Sequence, residues 1–291
     1  MPRFSGSGPV TVVLEGGLGA SSVGWSRVAD ELAAVATVVR YDRRGLGTTP
    51  AGLGSRGLGA LADDLLAVVG AVAERPVVLV GHSWGATVVR LAAARRPDLV
   101  AGLVLLEPVP DRWVRRCGPL LRVPGVLVYR GLEAGARLGA LRALTRTEAA
   151  TDWFAGRRGA LPRAVREELV AEVCRASHHA AGRREFTGMA TGSRGALAAL
   201  TAARPATCPV VVVSGGTPRR SGPWRRRLAA ACARLARTYG GEHALLEGAG
   251  HLLPREHPVG VADLVARLCR RVERARAGSP ASPARQTPGR A

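Results

Sequence analysis

Short runs of Val and Leu recur along this chain. Each is too short to make a helix, and each is followed by a stretch with apolar side chains at helical spacing. The runs fall at 10–14, 37–41, 77–80, 100–106, 209–214 and 243–246, and the regular helical stretches at 25–35, 58–73, 84–95, 224–237 and 259–274. A strand that is apolar at consecutive positions is covered on both faces, and strand, helix, strand in succession brings neighbouring strands back parallel. The predicted architecture is α/β: a mostly parallel, doubly wound sheet with helices on both sides.

The alternation lapses between 108 and 203. There the sequence is Arg-rich and amphipathic with Gly and Pro interruptions, and only 126–129 has a strand-like composition. This predicts a core made of 1–107 and 204–275, interrupted by a helical lid insertion at 108–203. Beyond Arg276 the Gly, Ser, Pro, Ala and Arg residues cannot bury enough apolar surface to offset chain entropy, so 276–291 is expected to be a disordered tail. No run approaches the ~18 apolar residues of a membrane span, and 10–14 is too short for a secretory h-region, so a cytoplasmic location is expected.

The formal net charge is +20, and with no Lys in the chain all 42 basic residues are Arg. Ile and Asn are also missing, a skew that fits a GC-rich coding sequence. The arginines are spread over most segments, mostly singly or in pairs, with local runs such as Arg219-Arg220 and Arg225-Arg226-Arg227, and aromatics make up 4% of residues. Such a distribution reads as a solvated basic face. It predicts no specific nucleic-acid partner, no base-stacking platform and no membrane partner. The five cysteines are far apart, without a CxxC pair or a neighbouring His at ligand spacing, so reduced thiols and no metal are expected. His178-His179 reads as a helix-surface or loop pair.

The chemistry-bearing segment is Gly81-His82-Ser83-Trp84-Gly85, placed between the run at 77–80 and the helix at 84–95. A buried strand that turns sharply into a helix forces its middle residue into a strained backbone that only small neighbours tolerate. The turn lifts the Ser83 hydroxyl above the carboxyl edge of the sheet, where open α/β sheets bind ligands. A serine hydroxyl needs a base to become nucleophilic. His251 follows the last predicted strand and would reach the same edge. His82 should instead point away into the sheet packing.

These motifs, with Leu14-Glu15-Gly16-Gly17-Leu18-Gly19 and Tyr41-Asp42-Arg43-Arg44-Gly45-Leu46-Gly47, resemble those of serine hydrolases of the α/β-hydrolase fold, over roughly residues 10–275. The resemblance implies a triad with Ser83 as nucleophile and His251 as base. It also implies an oxyanion hole from the amides of Leu18 and Trp84, although Gly16-Gly17 stands where relatives usually carry His-Gly. Asp42 matches a turn that is normally structural. The usual acid position, after 210–214, holds no carboxylate. Some relatives carry the acid at the end of the preceding strand, which points here to Glu107, with Asp111 as the alternative.

The implied activity is cleavage of a carboxylic ester, lactone or similar acyl bond through an acyl-enzyme, on a small-molecule acyl substrate and with no cofactor. Trp113, Trp153 and Phe154 are candidates for shaping the acyl pocket, or for ordinary lid core. A catalytically inactive binding protein on the same fold, or an acyltransferase or peroxidase-like relative, stay open at this level, as does the oligomeric state.

Overall fold

The computed structural model describes residues 2–52, 54–73, 76–155, 161–203, 206–216 and 222–277, and for 152–155 the backbone alone. Among them seven strands form one sheet: β1 (Arg3–Ser5), β2 (Thr11–Glu15), β3 (Thr37–Arg40), β4 (Val77–His82), β5 (Val100–Leu106), β6 (Val210–Gly216) and β7 (Glu242–Glu247). Their order is β1-β3-β2-β4-β5-β6-β7. β1 pairs antiparallel with β3, and all other pairings are parallel. The order reverses between β2 and β4, and that switch point is where a crevice opens at the carboxyl ends of the strands.

Helices α1 (Ser26–Leu32), α2 (Leu58–Val72) and α3 (Trp84–Arg95) cross between the early strands. Six more lie between β5 and β6: α4 (Asp111–Arg137), α5 (Ala140–Leu144), α6 (Glu148–Ala155), α7 (Arg163–Val173), α8 (Ala176–Thr191) and α9 (Arg194–Ala202). The chain closes with α10 (Pro223–Thr238), α11 (Leu253–Glu256) and α12 (Pro258–Ala277). The period-two side-chain alternation, with a core on each face of the sheet, explains why the runs 77–80 and 103–106 are apolar at every position. Leu79, Leu103, Leu105 and Val212 enter one core beneath α2, α3 and α10. Val78, Val80, Val104 and Val213 enter the other, beneath α1 and α12.

Four expectations need correction. Residues 126–129 are not a strand but part of α4, because glycines at 118 and 125 let that helix approach α8 and packing overrides the β propensity of Val and Tyr. The helix expected at 25–35 is shorter: Ser22–Trp25 is a 3-10 turn, and α1 ends at Leu32. β1 went unrecognised because three residues show no periodicity. The turn after it depends on Gly6, at φ +72°. Residues 276 and 277, placed in the expected tail, are the last of α12, which runs to Ala277, and 278–291 lie outside the described residues. Among the described residues no helix is long and apolar enough to cross a membrane.

Candidate active site

β4 runs straight into α3 with a single residue between them, Ser83, at φ 55° and ψ −117°. Only small neighbours fit. A Cβ on Gly81 would lie 2.7 Å from Ala86 Cα, and one on Gly85 2.7 Å from the Glu15 carbonyl oxygen. The Ser83 amide is held by the Leu106 carbonyl at 2.8 Å. Glu107 directly follows β5 with a φ of +43°, anchored by its amide to the Val213 carbonyl at 2.8 Å. Among the described residues, Ser83 and Glu107 are the two non-glycine positions with positive φ. Local strain of this kind persists where the surrounding structure over-determines it.

His251, on the loop between β7 and α11, joins these two residues. Its Nδ1 is 2.8 Å from Glu107 Oε2, and its Nε2 is 3.2 Å from Ser83 Oγ. An ionised carboxylate only accepts hydrogen bonds, so Nδ1 carries the proton and Nε2 is left to accept the serine hydroxyl. Glu107 is 1% exposed, while the imidazole is 45% exposed, so water can reach the histidine but not the carboxylate. Burial acts to raise the Glu107 pKa. Hydrogen bonds from His251, the Gly215 amide and Arg225 outweigh burial and hold it below the usual carboxylate range. Asp111 lies apart from this group, in a two-pronged pair with Arg90 at 2.8 and 2.9 Å.

The loop after β2 is fixed from below by a buried ionic network. Arg43 bonds Glu15 at 2.5 Å and Glu185 of α8 through two nitrogens at 2.9 Å each, and it also bonds the Gly16 and Gly17 carbonyls. Glu185 in turn accepts from the Gly19 amide at 2.9 Å and from Arg56 at 2.7 Å. Tyr41 donates to Glu15. Asp42 accepts the Ser22 amide at 2.6 Å, the structural part expected of it. Leu18, in the loop so held, lines the same cavity as Ser83. Trp84 is the first residue of α3, so its N–H has no acceptor inside the helix.

The cavity holds about 330 Å³ and is bounded by Leu18, Trp25, His82, Ser83, His251 and Arg255, among others. The expectation that His82 points away is not met: it lies beside His251. Its Nε2 and the His251 carbonyl are 2.7 Å apart, and the rings are 5.0 Å apart. Burial, with the neighbouring His251, pushes its pKa down to about 3, so it stays neutral and its N–H pins the His251 loop.

Elsewhere, His179 is buried and bonded to the Val173 carbonyl at 2.7 Å, not part of a surface pair, because α8 is sandwiched between other helices. Trp113 stacks on Trp224 with ring centres 3.8 Å apart and is not among the residues lining the cavity. The side chains of Trp153 and Phe154, and the Arg219-Arg220 run, lie outside the described residues.

Arg225 is one of two residues that sequence reasoning missed. It reads as one of a solvated run, yet it grips Glu107 through Nη1 at 2.7 Å and Nη2 at 2.9 Å, and bonds the Gly215 carbonyl at 3.0 Å. Glu185 was missed in the same way. Both are supplied by helices distant in sequence from the groups they hold, and no local motif marks them.

A strained serine, a tautomer-fixed imidazole and a desolvated carboxylate can together deliver a nucleophile to a carbonyl. Comparison with known proteins agrees in fold. Over 98 residues the chain is 33% identical to the "Putative carbamate hydrolase RutD" of Rhizobium rhizogenes, covering 33% of this chain and 37% of that protein. Over 106 residues it is 36% identical to the lipase LipV of Mycobacterium tuberculosis, covering 36% of this chain and 40% of that protein. The match thus spans about two fifths of these relatives' length. The structure of a thermophilic esterase from Thermogutta terrifontis superposes with a TM-score of 0.65 at 21% identity, covering 94% of this chain and 93% of that one. A model of the alpha/beta hydrolase family matches residues 12–264, and the chain belongs to that family.

Proposed function

We propose that this hydrolase-family protein is a serine hydrolase that cleaves a carboxylic ester or similar acyl bond through an acyl-enzyme. The continuous hydrogen-bonded path from Glu107 through His251 to Ser83, at 2.8 and 3.2 Å, carries the reading. Ser83 Oγ attacks the carbonyl carbon while His251 Nε2 takes its proton, and Glu107 steadies the imidazolium that forms. The amides of Leu18 and Trp84 receive the oxyanion, each worth about 3–4 kcal/mol by analogy with donors removed elsewhere. The intermediate collapses, and the leaving alkoxide takes the proton from His251. Water then gives a proton to His251 and attacks the acyl carbon, and return of that proton to Ser83 frees the acid.

The helices between β5 and β6 act as a lid in this reading. Gly19 bonded to Glu185 of α8 ties the lid to the oxyanion loop. A serine rather than a carboxylate at 83 disfavours the alkyl-enzyme chemistry of epoxide opening. The relationship to a protein named as a carbamate hydrolase favours a carbamate as the second substrate to try.

Release of p-nitrophenol from acyl esters of increasing chain length, and from a carbamate, tests the proposal. Turnover by the wild type should fall by on the order of 10⁴–10⁶ in Ser83→Ala. Turnover persisting in that variant, or none by the wild type over the whole panel, would overturn it. Adding alcohol, amine and peroxide acceptors separates hydrolysis from acyl transfer or peroxide chemistry.

A further inference from the structure

Helix α4 carries five large apolar side chains on the side facing away from the protein. Leu120, Leu121, Val123, Leu127 and Val128 are all more than half exposed, whereas the α4 residues that are buried are Val114, Gly118 and Glu133. At about 100° per residue, Leu120, Val123 and Leu127 form one outward stripe, with Leu121 and Val128 along its edge. The opposite side packs on α8: a Cβ at Gly118 would meet the Ala190 backbone at 3.1 Å, and the Tyr129 and Phe186 rings lie 6.0 Å apart. Exposed arginines accompany the stripe, Arg116 within it, Arg130 beside it and Arg115 and Arg122 further round the helix, and residues 112–132 hold five Arg and no carboxylate.

Water is a poor environment for such a face, since contiguous exposed aliphatic surface is the mark of an interaction site. Its partner must accept both leucines and a high density of positive charge. A second copy of the chain fits badly, because a two-fold contact would bring the arginines of the two helices together, in a protein of net charge +20. An anionic bilayer satisfies both demands, taking aliphatic side chains at the acyl boundary and guanidinium groups at the phosphate level. We infer that α4 is the helix by which this protein docks on an anionic lipid surface. Its inner side meets the loop beside Ser83: the Tyr129 hydroxyl lies 3.4 Å from where a Gly19 Cβ would be. The docking helix therefore also contacts the rim of the cavity, so a lipophilic substrate would be met where it is dissolved. The docking itself does not depend on the proposed chemistry.

Flotation of the full chain with vesicles of phosphatidylglycerol and phosphatidylcholine, against phosphatidylcholine alone, is the test. The wild type should float with the anionic vesicles, and Leu120→Ser/Leu127→Ser should lower its partitioning at least about tenfold, because burying each leucine side chain is favourable. The far-ultraviolet spectrum and hydrolysis of a short soluble ester should stay unchanged in that variant. Three results would overturn the inference. One is a wild type that stays with the pellet. Another is vesicle binding indifferent to the leucine changes, which would be adsorption by the diffuse basic surface. The third is a wild-type dimer in analytical ultracentrifugation that the leucine changes dissolve.

Discussion

Replacing Glu107 by Gln changes one oxygen to an amide nitrogen, and the surrounding donors determine the effect. Oε1 accepts from the Gly215 amide at 2.8 Å and Arg225 Nη2 at 2.9 Å, and Oε2 accepts from Arg225 Nη1 at 2.7 Å and His251 Nδ1 at 2.8 Å. Every partner is a donor, so an NH₂ group meets two donors in either orientation. At the Oε1 position both opposing donors, a backbone amide and a guanidinium, are fixed as donors. At the Oε2 position one of them is an imidazole, which can move its proton. The side chain should settle there, forcing the proton of His251 to Nε2 and removing the acceptor that Ser83 needs. That tautomer inversion costs on the order of 10⁴ in kcat where it is known, or about 5 kcal/mol. The fold should lose only about 1–3 kcal/mol, the penalty for a buried donor left facing a donor. Stopped-flow and steady-state hydrolysis of an activated ester, with urea unfolding on the same samples, separates the two effects. Rates within tenfold of wild type, with the protein folded, would refute the reasoning. Asp111→Asn is the control and should leave kcat intact, since Asp111 is committed to Arg90.

Arg225→Met should shift the acid limb of the kcat/KM profile to higher pH, because Arg225 is one of the groups holding the Glu107 pKa down; an unshifted limb would free Arg225 of that role. His82 and His178 are pushed down by burial to about 3 and about 4, so the unfolded chain protonates first as pH falls. Their contribution is complete above pH ~6.5 and declines below it, by roughly 1 kcal/mol each between pH 6.5 and 5.5, which urea titrations at the two pH values would register. Glu185→Gln leaves Arg43 and Arg56 short of a buried counter-charge. It should cost about 3 kcal/mol, read as a lowered thermal midpoint, and should also lower kcat by loosening Gly19.

What the sequence revealed and what it hid divide along physical lines. Strands β4 to β6 were legible because burial on both faces leaves an unbroken apolar run, and the bend at Ser83 because steric demand there admits only small neighbours at 81 and 85. His251 was legible from its place after the last strand. Glu107 and Asp111 could not be separated by spacing alone. What separates them is Arg90, which engages Asp111 from α3, and the positive φ that turns Glu107 toward the histidine. His82 was misjudged because, although it keeps the β4 alternation with Val78 and Val80, the loop carrying His251 folds over that face at the carboxyl end of the strand, a packing no local pattern in the sequence reveals. Arg225, Glu185 and the apolar outer face of α4 were hidden for a common reason. Each depends on how helices far apart in the chain pack, and a dispersed set of arginines carries no pattern that distinguishes a buried ion pair from a solvated one.

The central claim is that the residue-83 hydroxyl is a nucleophile made reactive by His251. Intact-mass spectrometry after exposure to a fluorophosphonate reads this directly. One phosphonyl adduct should form on the wild type and map to the peptide containing Ser83, and it should slow by orders of magnitude in His251→Ala. An unmodified wild type, or an adduct on another residue, would contradict the account.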